Sequence, residues 1–200
     1  IEIHDFELRS GKVQDISVSY QIFGRALHTA PIILVNHALT GNSSVNEWWS
    51  QLLGSDKAID TNKFTVIALD IPGNGFDGFV IDDYKSFIAK DIAKIFLKGL
   101  NALKIEQLFA LIGGSLGGGI AWEMVVLNTK ITKHFLPIAT DWKSTDWLIA
   151  NCQIQEQFLV NSSNPVHDAR MHAMLCYRTP ESFKERFHRS KKINSDIFNV

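Results

Sequence analysis

Little in this 200-residue chain is extreme, and each shortage excludes something. Basic and acidic residues nearly cancel, 20 against 21, so there is no electrostatic footprint for nucleic acid or an anionic membrane. The longest apolar runs, such as Pro31 to Val35 and Val66 to Leu69, are far too short to span a bilayer. The first residues lack the charged, apolar and small-residue succession of a secretory leader, so a cytoplasmic setting is expected. Only two cysteines occur, Cys152 and Cys176. Both lie in apolar helical patterns and are expected to be small core residues rather than disulfide partners or metal ligands. Without a leader, the N-x-S patterns opened by Asn42 and Asn161 carry no weight. The basic run from Lys184 to Lys192 is expected to be a solvated helix face.

Two patterns of hydrophobicity divide what is present. Val13 to Phe23 alternates, with Ile16, Val18, Tyr20 and Ile22 on one face, which predicts a half-exposed antiparallel strand. Ile1 to Leu8 alternates more weakly, and the Ser10, Gly11, Lys12 turn between them predicts an N-terminal hairpin. Ile32 to Val35, Phe64 to Leu69, Leu108 to Ile112 and Phe135 to Ile138 are instead short continuous apolar runs, as expected of parallel strands covered on both faces. A helix is predicted from Asp82 to Leu103, where Tyr84, Ile88, Ile92, Ile95, Phe96 and Leu103 recur at helical spacing. Strands alternating with helices imply crossover connections and a mostly parallel α/β sheet, with the active site at the carboxyl ends of the strands. Beyond Ile138 the strand signals stop. Ser144 to Val160, Pro165 to Tyr177 and a segment opened by Thr179 and Pro180 read as helices. The expected organisation is a core over residues 1–140 and a helical lid over residues 141–200.

The most specific motif is Leu108 to Gly119, LFALIGGSLGGG. An uncharged strand runs into Gly113, Gly114, Ser115, Leu116, Gly117, and Ile120, Ala121, Met124, Val125 and Leu127 continue at helical spacing. Strand, G-x-S-x-G and helix in that order describe a nucleophile elbow. There a serine hydroxyl is lifted clear of the sheet on a turn so tight that only glycine fits on either side. The competing readings are a close-packing glycine turn and a phosphate loop. They fit less well, because neither G-x-G-x-x-G with a following strand-end acid nor a GK[ST] lysine is present.

A serine nucleophile needs two amide donors for the oxyanion it creates. Leu116, directly after Ser115, supplies one. The other is expected from the loop after the Ile32 to Val35 strand, Asn36, His37, Ala38, Leu39, Thr40, Gly41, Asn42, Ser43. His37 sits at a strand end, but in this fold's order the base follows the nucleophile, and a histidine here is expected to orient the loop.

HALTGNS with Trp48 and Trp49, then Ala58, Ile59, Asp60, Thr61, the elbow GGSLGG, and later Asp168, Ala169, Arg170 with Tyr177, Arg178 and Phe187 together resemble the homoserine O-acetyltransferase family, of the α/β-hydrolase fold. The resemblance runs from about Pro31 to the end. It implies that Ser115 carries an acetyl group, that Leu39 and Leu116 give the oxyanion N–H groups, and that Arg170 and Tyr177 hold the amino-acid acceptor. Thr40 is counted with them as a substrate contact. It also implies acetyl-CoA as an acyl-donor substrate, with no tightly bound cofactor or metal, and small-molecule partners: homoserine or another alcohol, and acyl-CoA. A homodimer is compatible with it. A guanidinium suits a carboxylate, and Tyr177 lies two helical turns beyond Arg170. A lid-to-core salt bridge is the alternative role for Arg170. One departure is the segment IPGNGFDGFVI between Asp70 and Asp82, shorter than the family's loop and closer to the tight loop of ordinary α/β-hydrolases.

A triad in this fold runs Ser, then Asp or Glu, then His. The histidines after Ser115 are His134, His167, His172 and His188, and the acids include Asp141, Asp146, Asp168 and Asp196. None falls in a loop after a late sheet strand, and the fold's last two strands have no counterpart. The expectation is therefore an N-terminal part of a longer enzyme, with nucleophile and oxyanion loop but no base, and with an adhesive sheet edge. Acyl transfer is the first functional reading. An esterase- or thioesterase-like hydrolase using the same serine is the second, and a non-catalytic interaction module the third.

Overall fold

A computed structural model describes residues 1–199, in two compact units, Ile1–Lys143 and the residues from Ser144 onward. The first unit opens with β1 (Glu2–Glu7) and β2 (Val13–Ser17), an antiparallel hairpin forming its own two-stranded sheet. A bulge between Ile3 and Phe6 lets both side chains point inward although they are three residues apart. At the bulge Asp5 takes φ +50°, and its amide donates to Asp15 Oδ1 at 3.0 Å.

The alternating run from Val13 to Phe23 is not one strand. The chain leaves the hairpin after Ser17 and re-enters structure as β3 (Tyr20–Gly24), antiparallel to a strand of the main sheet. Val18 bonds back to the Ile1 carbonyl at 2.9 Å, whereas Ser19 accepts the Asp70 amide at 2.9 Å. The switch of partners falls between these two residues. It leaves Ile16 and Val18 buried but Tyr20 and Ile22 exposed, which a single strand with one apolar face does not explain.

β4 (Ile32–Asn36) leads through the short helix α1 (Val45–Trp48) and the two-residue strands β5 (Leu53–Gly54) and β6 (Ile59–Asp60) to β7 (Thr65–Leu69). α2 (Ala89–Ala102) then crosses to β8 (Leu108–Gly114), and α3 (Leu116–Leu127) to β9 (Thr132–Ile138). The sheet order is β3-β7-β4-β8-β9, with β3 antiparallel and the other pairs parallel. β4 and β7 are buried at every position, as continuous apolar runs require. Leu34, Ile67, Leu69 and Leu111 pack on one face against Phe96, Leu100, Ile120 and Met124 of the two crossover helices. Ile33, Val35, Val66 and Ile112 pack on the other against Val45, Leu53 and Ile59. Each such side chain contributes about 1.5–3 kcal/mol by leaving water.

Two features differ from the sequence pattern. The helix expected from Asp82 begins only at Ala89, after a 3-10 turn over Tyr84–Ser86 and an extended Phe87. The start is set by Asp91, whose buried carboxylate accepts the Ile88 amide at 3.3 Å and the Arg9 amide at 3.1 Å. Strand β9 is not covered on both faces. Among the described residues it pairs only with β8, and its Leu136 and Ile138 are exposed.

The second unit holds α4 (Asp146–Asn161), α5 (Pro165–Cys176) and α6 (Pro180–Phe187). Thr145 caps α4 by accepting the Leu148 amide, and Thr179 caps α6 by accepting the Ser182 amide, each at 3.2 Å. His188, in the left-handed conformation, stops α6 inside the basic run. None of the three helices carries a buried residue. Both cysteines are accordingly exposed rather than core residues, and the Cys176 thiol donates to Asn151 Oδ1 at 3.3 Å. Among the described residues no helix is long and apolar enough to cross a membrane.

Candidate active site

Three strands deliver their carboxyl ends to one place in the first unit. Strand β8 ends at Gly114 and α3 starts at Leu116, so Ser115 alone makes the corner. Its backbone sits at φ +52°, ψ −120°, a conformation costly for any residue with a Cβ, on the order of 1–3 kcal/mol. Surrounding contacts hold it there. The Ser115 amide donates to the Ile138 carbonyl at the end of β9 at 2.9 Å, and the Ser115 carbonyl accepts the Gly118 and Gly119 amides. Ser115 itself is exposed at the corner.

The glycines are required by backbone approach. A Cβ on Gly113 would lie 2.3 Å from the Gly117 carbonyl oxygen. One on Gly117 would lie 2.3 Å from the Asn36 oxygen and 2.5 Å from the His37 oxygen, and one on Gly118 would lie 2.3 Å from Thr140 Cγ2. The loop after β4 and the elbow thus meet backbone against backbone, and the segment after β9 meets the elbow through the Thr140 side chain. Asn36 reinforces the first contact by donating through Nδ2 to the Gly117 carbonyl at 3.3 Å.

The loop carrying Leu39 and Thr40 is fastened at several points. A turn closes it, the Gly41 amide donating to the Ala38 carbonyl at 2.9 Å, and both Leu39 and Thr40 are exposed. Buried His37 uses both ring nitrogens. Nε2 accepts the Ile71 amide at 3.0 Å, so Nδ1 carries the proton and donates it to the Ala38 carbonyl at 2.7 Å. Burial pushes this imidazole below its usual pKa, against the opposing pull of the Ala38 carbonyl and the Asp70 charge. It is a neutral brace between two loops. Trp48 Nε1 donates to the Asn42 carbonyl at 3.0 Å, and Gln21 Nε2 donates to both Ser43 Oγ and Ser44 Oγ at 2.9 Å.

Asp70, at the end of β7, is a residue that motif reading passed over. Its buried carboxylate accepts the Ser43 amide at 2.8 Å and Asn74 Nδ2 at 3.0 Å on Oδ1, and Ser19 Oγ at 2.7 Å on Oδ2. Three loops are tied to one carboxylate. The signal available in the sequence was an acid at the carboxyl end of a fully apolar strand, directly before a Pro-Gly turn.

Among the described residues, no acceptor pairs with the Leu39 or Leu116 amide, and Leu116 at the first position of α3 is an orphan donor by geometry. No imidazole or carboxylate there bonds to Ser115 Oγ. His134 lies on β9 with its ring against Phe109. In the second unit, His167 Nδ1 meets Asp168 Oδ1 at 3.0 Å, and Asp168 also accepts the Ser162 hydroxyl. Arg170 on α5 and Tyr177 at its carboxyl cap are both exposed, and among the described residues no carboxylate pairs with Arg170.

Comparison with known proteins adds family to this geometry. A homoserine O-acetyltransferase of Trichormus variabilis is 30% identical over 98% of this chain and 62% of its own length. The chain spans about half the length of the curated relatives it matches. Among solved structures, a homoserine O-acetyltransferase from Staphylococcus aureus superposes with a TM-score of 0.79 at 23% identity, covering 93% of this chain and 60% of that one. The acetyl esterase MekB superposes with a TM-score of 0.80 at 21% identity, covering 93% and 61%. Residues 31–147 match the family described as the alpha/beta hydrolase fold, which contains both β4 with its loop and the elbow. With that match over more than half its length, and with Ser115 on a strand-to-helix corner at positive φ, the chain belongs to the alpha/beta hydrolase fold family.

Proposed function

We propose that this chain carries the nucleophile and oxyanion side of an acyltransferase site, moving an acetyl group from acetyl-CoA to the hydroxyl of homoserine. Ser115 Oγ attacks the thioester carbonyl, the developing oxyanion lies between the Leu39 and Leu116 amides, and the C–S bond breaks. The serine proton leaves with the thiol. The homoserine hydroxyl then attacks the acyl-serine carbonyl, its proton returns to Ser115 Oγ, and O-acetylhomoserine departs. Arg170 takes the homoserine carboxylate, with Tyr177 and Thr40 as further acceptor contacts. A cytoplasmic setting goes with this reading. The observation that carries it is the exposed Ser115 on its strained strand-to-helix corner, next to the unpaired Leu116 amide, and likeness to homoserine O-acetyltransferases supplies donor and acceptor.

The test is intact-mass spectrometry after exposure to acetyl-CoA. One acetyl adduct is expected, absent from Ser115→Ala and discharged by homoserine. An adduct that persists in Ser115→Ala removes the serine from the mechanism.

Hydrolysis is the second reading, favoured by the tight turn after β7, where the Asn74 amide bonds to the Ile71 carbonyl at 3.1 Å, and by likeness to an acetyl esterase. Thiol release that is independent of homoserine would select it.

A further inference from the structure

Beside the oxyanion loop the first unit holds a cavity of about 390 Å³, within the range of about 300–1,000 Å³ that small-molecule sites occupy. Leu39 and Leu116, the two residues whose amides the proposed function assigns to the oxyanion, both line it. The rest of the lining comes from the turn Ile71–Asn74 with Ile81, and from Phe87, Ile88, Ala89 and Ile92 at the start of α2.

The delayed start of α2 makes this space. Had the helix begun at Asp82, as its periodicity suggests, the segment carrying Tyr84 and Phe87 would be helical. Instead a 3-10 turn and an extended Phe87 bend the chain around the cavity. The short turn after β7 closes the far side. Gly73 holds φ +81°, and a Cβ there would meet Ile81 Cγ1 at 3.0 Å, so the wall is set by backbone against isoleucine.

The lining is apolar where it is deep. Phe87, Ala89, Ile92, Ile71 and Leu116 are packed against the main core. The polar side chain of Asn74 is already committed, Nδ2 to Asp70 and Oδ1 to the Phe76 amide at 3.0 Å. Tyr84 is exposed at the rim. A polar head has nothing to bond in the depth of the cavity, whereas a methylene chain gains there by leaving water.

We infer that this cavity is an acyl-chain site, taking linear acyl groups well beyond acetyl that reach Ser115 as thioesters or esters. The inference rests on the proposed role of Ser115 and the Leu39 and Leu116 amides. A carbonyl oxygen between those amides places its own carbonyl carbon at Ser115, and the chain attached to that carbon enters the space the same two residues wall. Acetyl occupies only its mouth. The short turn after β7 is then a specificity element: it shapes the space for the acyl chain.

Two measurements test this. In the first, thiol release by the full chain is followed with acetyl-, butyryl- and hexanoyl-CoA. Each methylene that is buried should raise kcat/KM roughly fourfold, so hexanoyl-CoA, with four more methylenes than acetyl-CoA, should exceed it by more than about tenfold if only two are buried and by about 250-fold if all four are. Ala89→Phe, which adds bulk to the lining, should erase that preference while sparing acetyl-CoA, and Ile92→Ala should move the optimum to longer chains. In the second, which needs no turnover, hexanoate is titrated against isoleucine-methyl-labelled protein. The methyls of Ile71, Ile81, Ile88 and Ile92 should shift, and Ala89→Phe should abolish the response. Absence of methyl shifts overturns the site, and so does thiol release that ignores chain length in parent and variants alike, leaving the acyltransfer reading intact. Methyl shifts without thiol release from any thioester instead remove the acyltransfer reading and overturn the acyl assignment, leaving an apolar ligand site.

Discussion

The Ile71 amide donates to Nε2 of buried His37 across 3.0 Å, joining the loop after β7 to the loop after β4. This bond exists only while His37 is neutral, because protonated Nε2 cannot accept. Burial, the largest influence, holds the imidazole pKa below its unfolded value of about 6.5. The unfolded chain therefore binds the proton more readily than the folded one. Stability contributed by neutral His37 is complete above about pH 6.5, and falls as the pH drops from there toward the depressed folded-state value. Urea unfolding at pH 7.5 and 5.5 should show a loss at the lower pH that shrinks in His37→Gln. An identical loss in the variant would show that other groups cause it.

Gly117 and Gly119 are two residues apart in the same helix, yet should respond oppositely to alanine. At Gly117 the new methyl meets two backbone oxygens at 2.3 and 2.5 Å, which neither loop can yield without moving the elbow. Gly117→Ala is expected to cost more than about 3 kcal/mol. At Gly119 the nearest atom is Thr140 Oγ1 at 4.0 Å, and removing a helix-interior glycine should add about 0.5–1 kcal/mol. Thermal midpoints measured on both variants check this, and a stable Gly117→Ala would contradict the close approach of the two loops.

Asp70 invites a comparison between two substitutions. In Asp70→Asn the amide oxygen can face the Ser43 amide and Asn74 Nδ2 while its NH2 faces Ser19 Oγ, whose hydroxyl can reverse to accept. That variant should lose about 1 kcal/mol. Asp70→Ala strands three donors and should lose about 3–5 kcal/mol. Equal losses in denaturant titrations would mean that the charge, rather than its hydrogen bonds, holds the loops.

Relief of strain gives the fourth expectation. Ser115→Gly should stabilise the protein by about 1 kcal/mol, since glycine adopts φ +52° freely, and Ser115→Ala should leave stability nearly unchanged. Both should lose acylation. A Ser115→Gly variant with no gain in its urea midpoint would show that the corner is relaxed with serine in it.

What could be read from the chain beforehand follows from how local its causes are. The strand, serine corner and helix from Leu108 to Leu127 depend on neighbours within a few residues, and the pattern located them closely. The break between Val18 and Ser19 depends on Asp70, some fifty residues away, and no periodicity carries that information. The start of α2 was obscured likewise: Tyr84 and Ile88 keep helical spacing, but Asp91 caps the helix with help from the Arg9 amide. Cys152 and Cys176 sit in apolar patterns that predict burial, yet the second unit buries no residue in any of its helices. Leu39 could be placed in a loop; that the loop meets Gly117 backbone to backbone required coordinates.

The contact between Asn36 and Gly117 spans 81 residues of chain. Long-range pairings of this kind form late, because the loop they close must be ordered first. During refolding, β8 and α3 can assemble with Ser115 in a relaxed backbone conformation. The corner is locked on its other side only when β4 docks beside β8 and Asn36 reaches Gly117. Reactivity at Ser115 should therefore lag behind the recovery of helical signal, making the serine a reporter of the last step of folding in this unit rather than of the first.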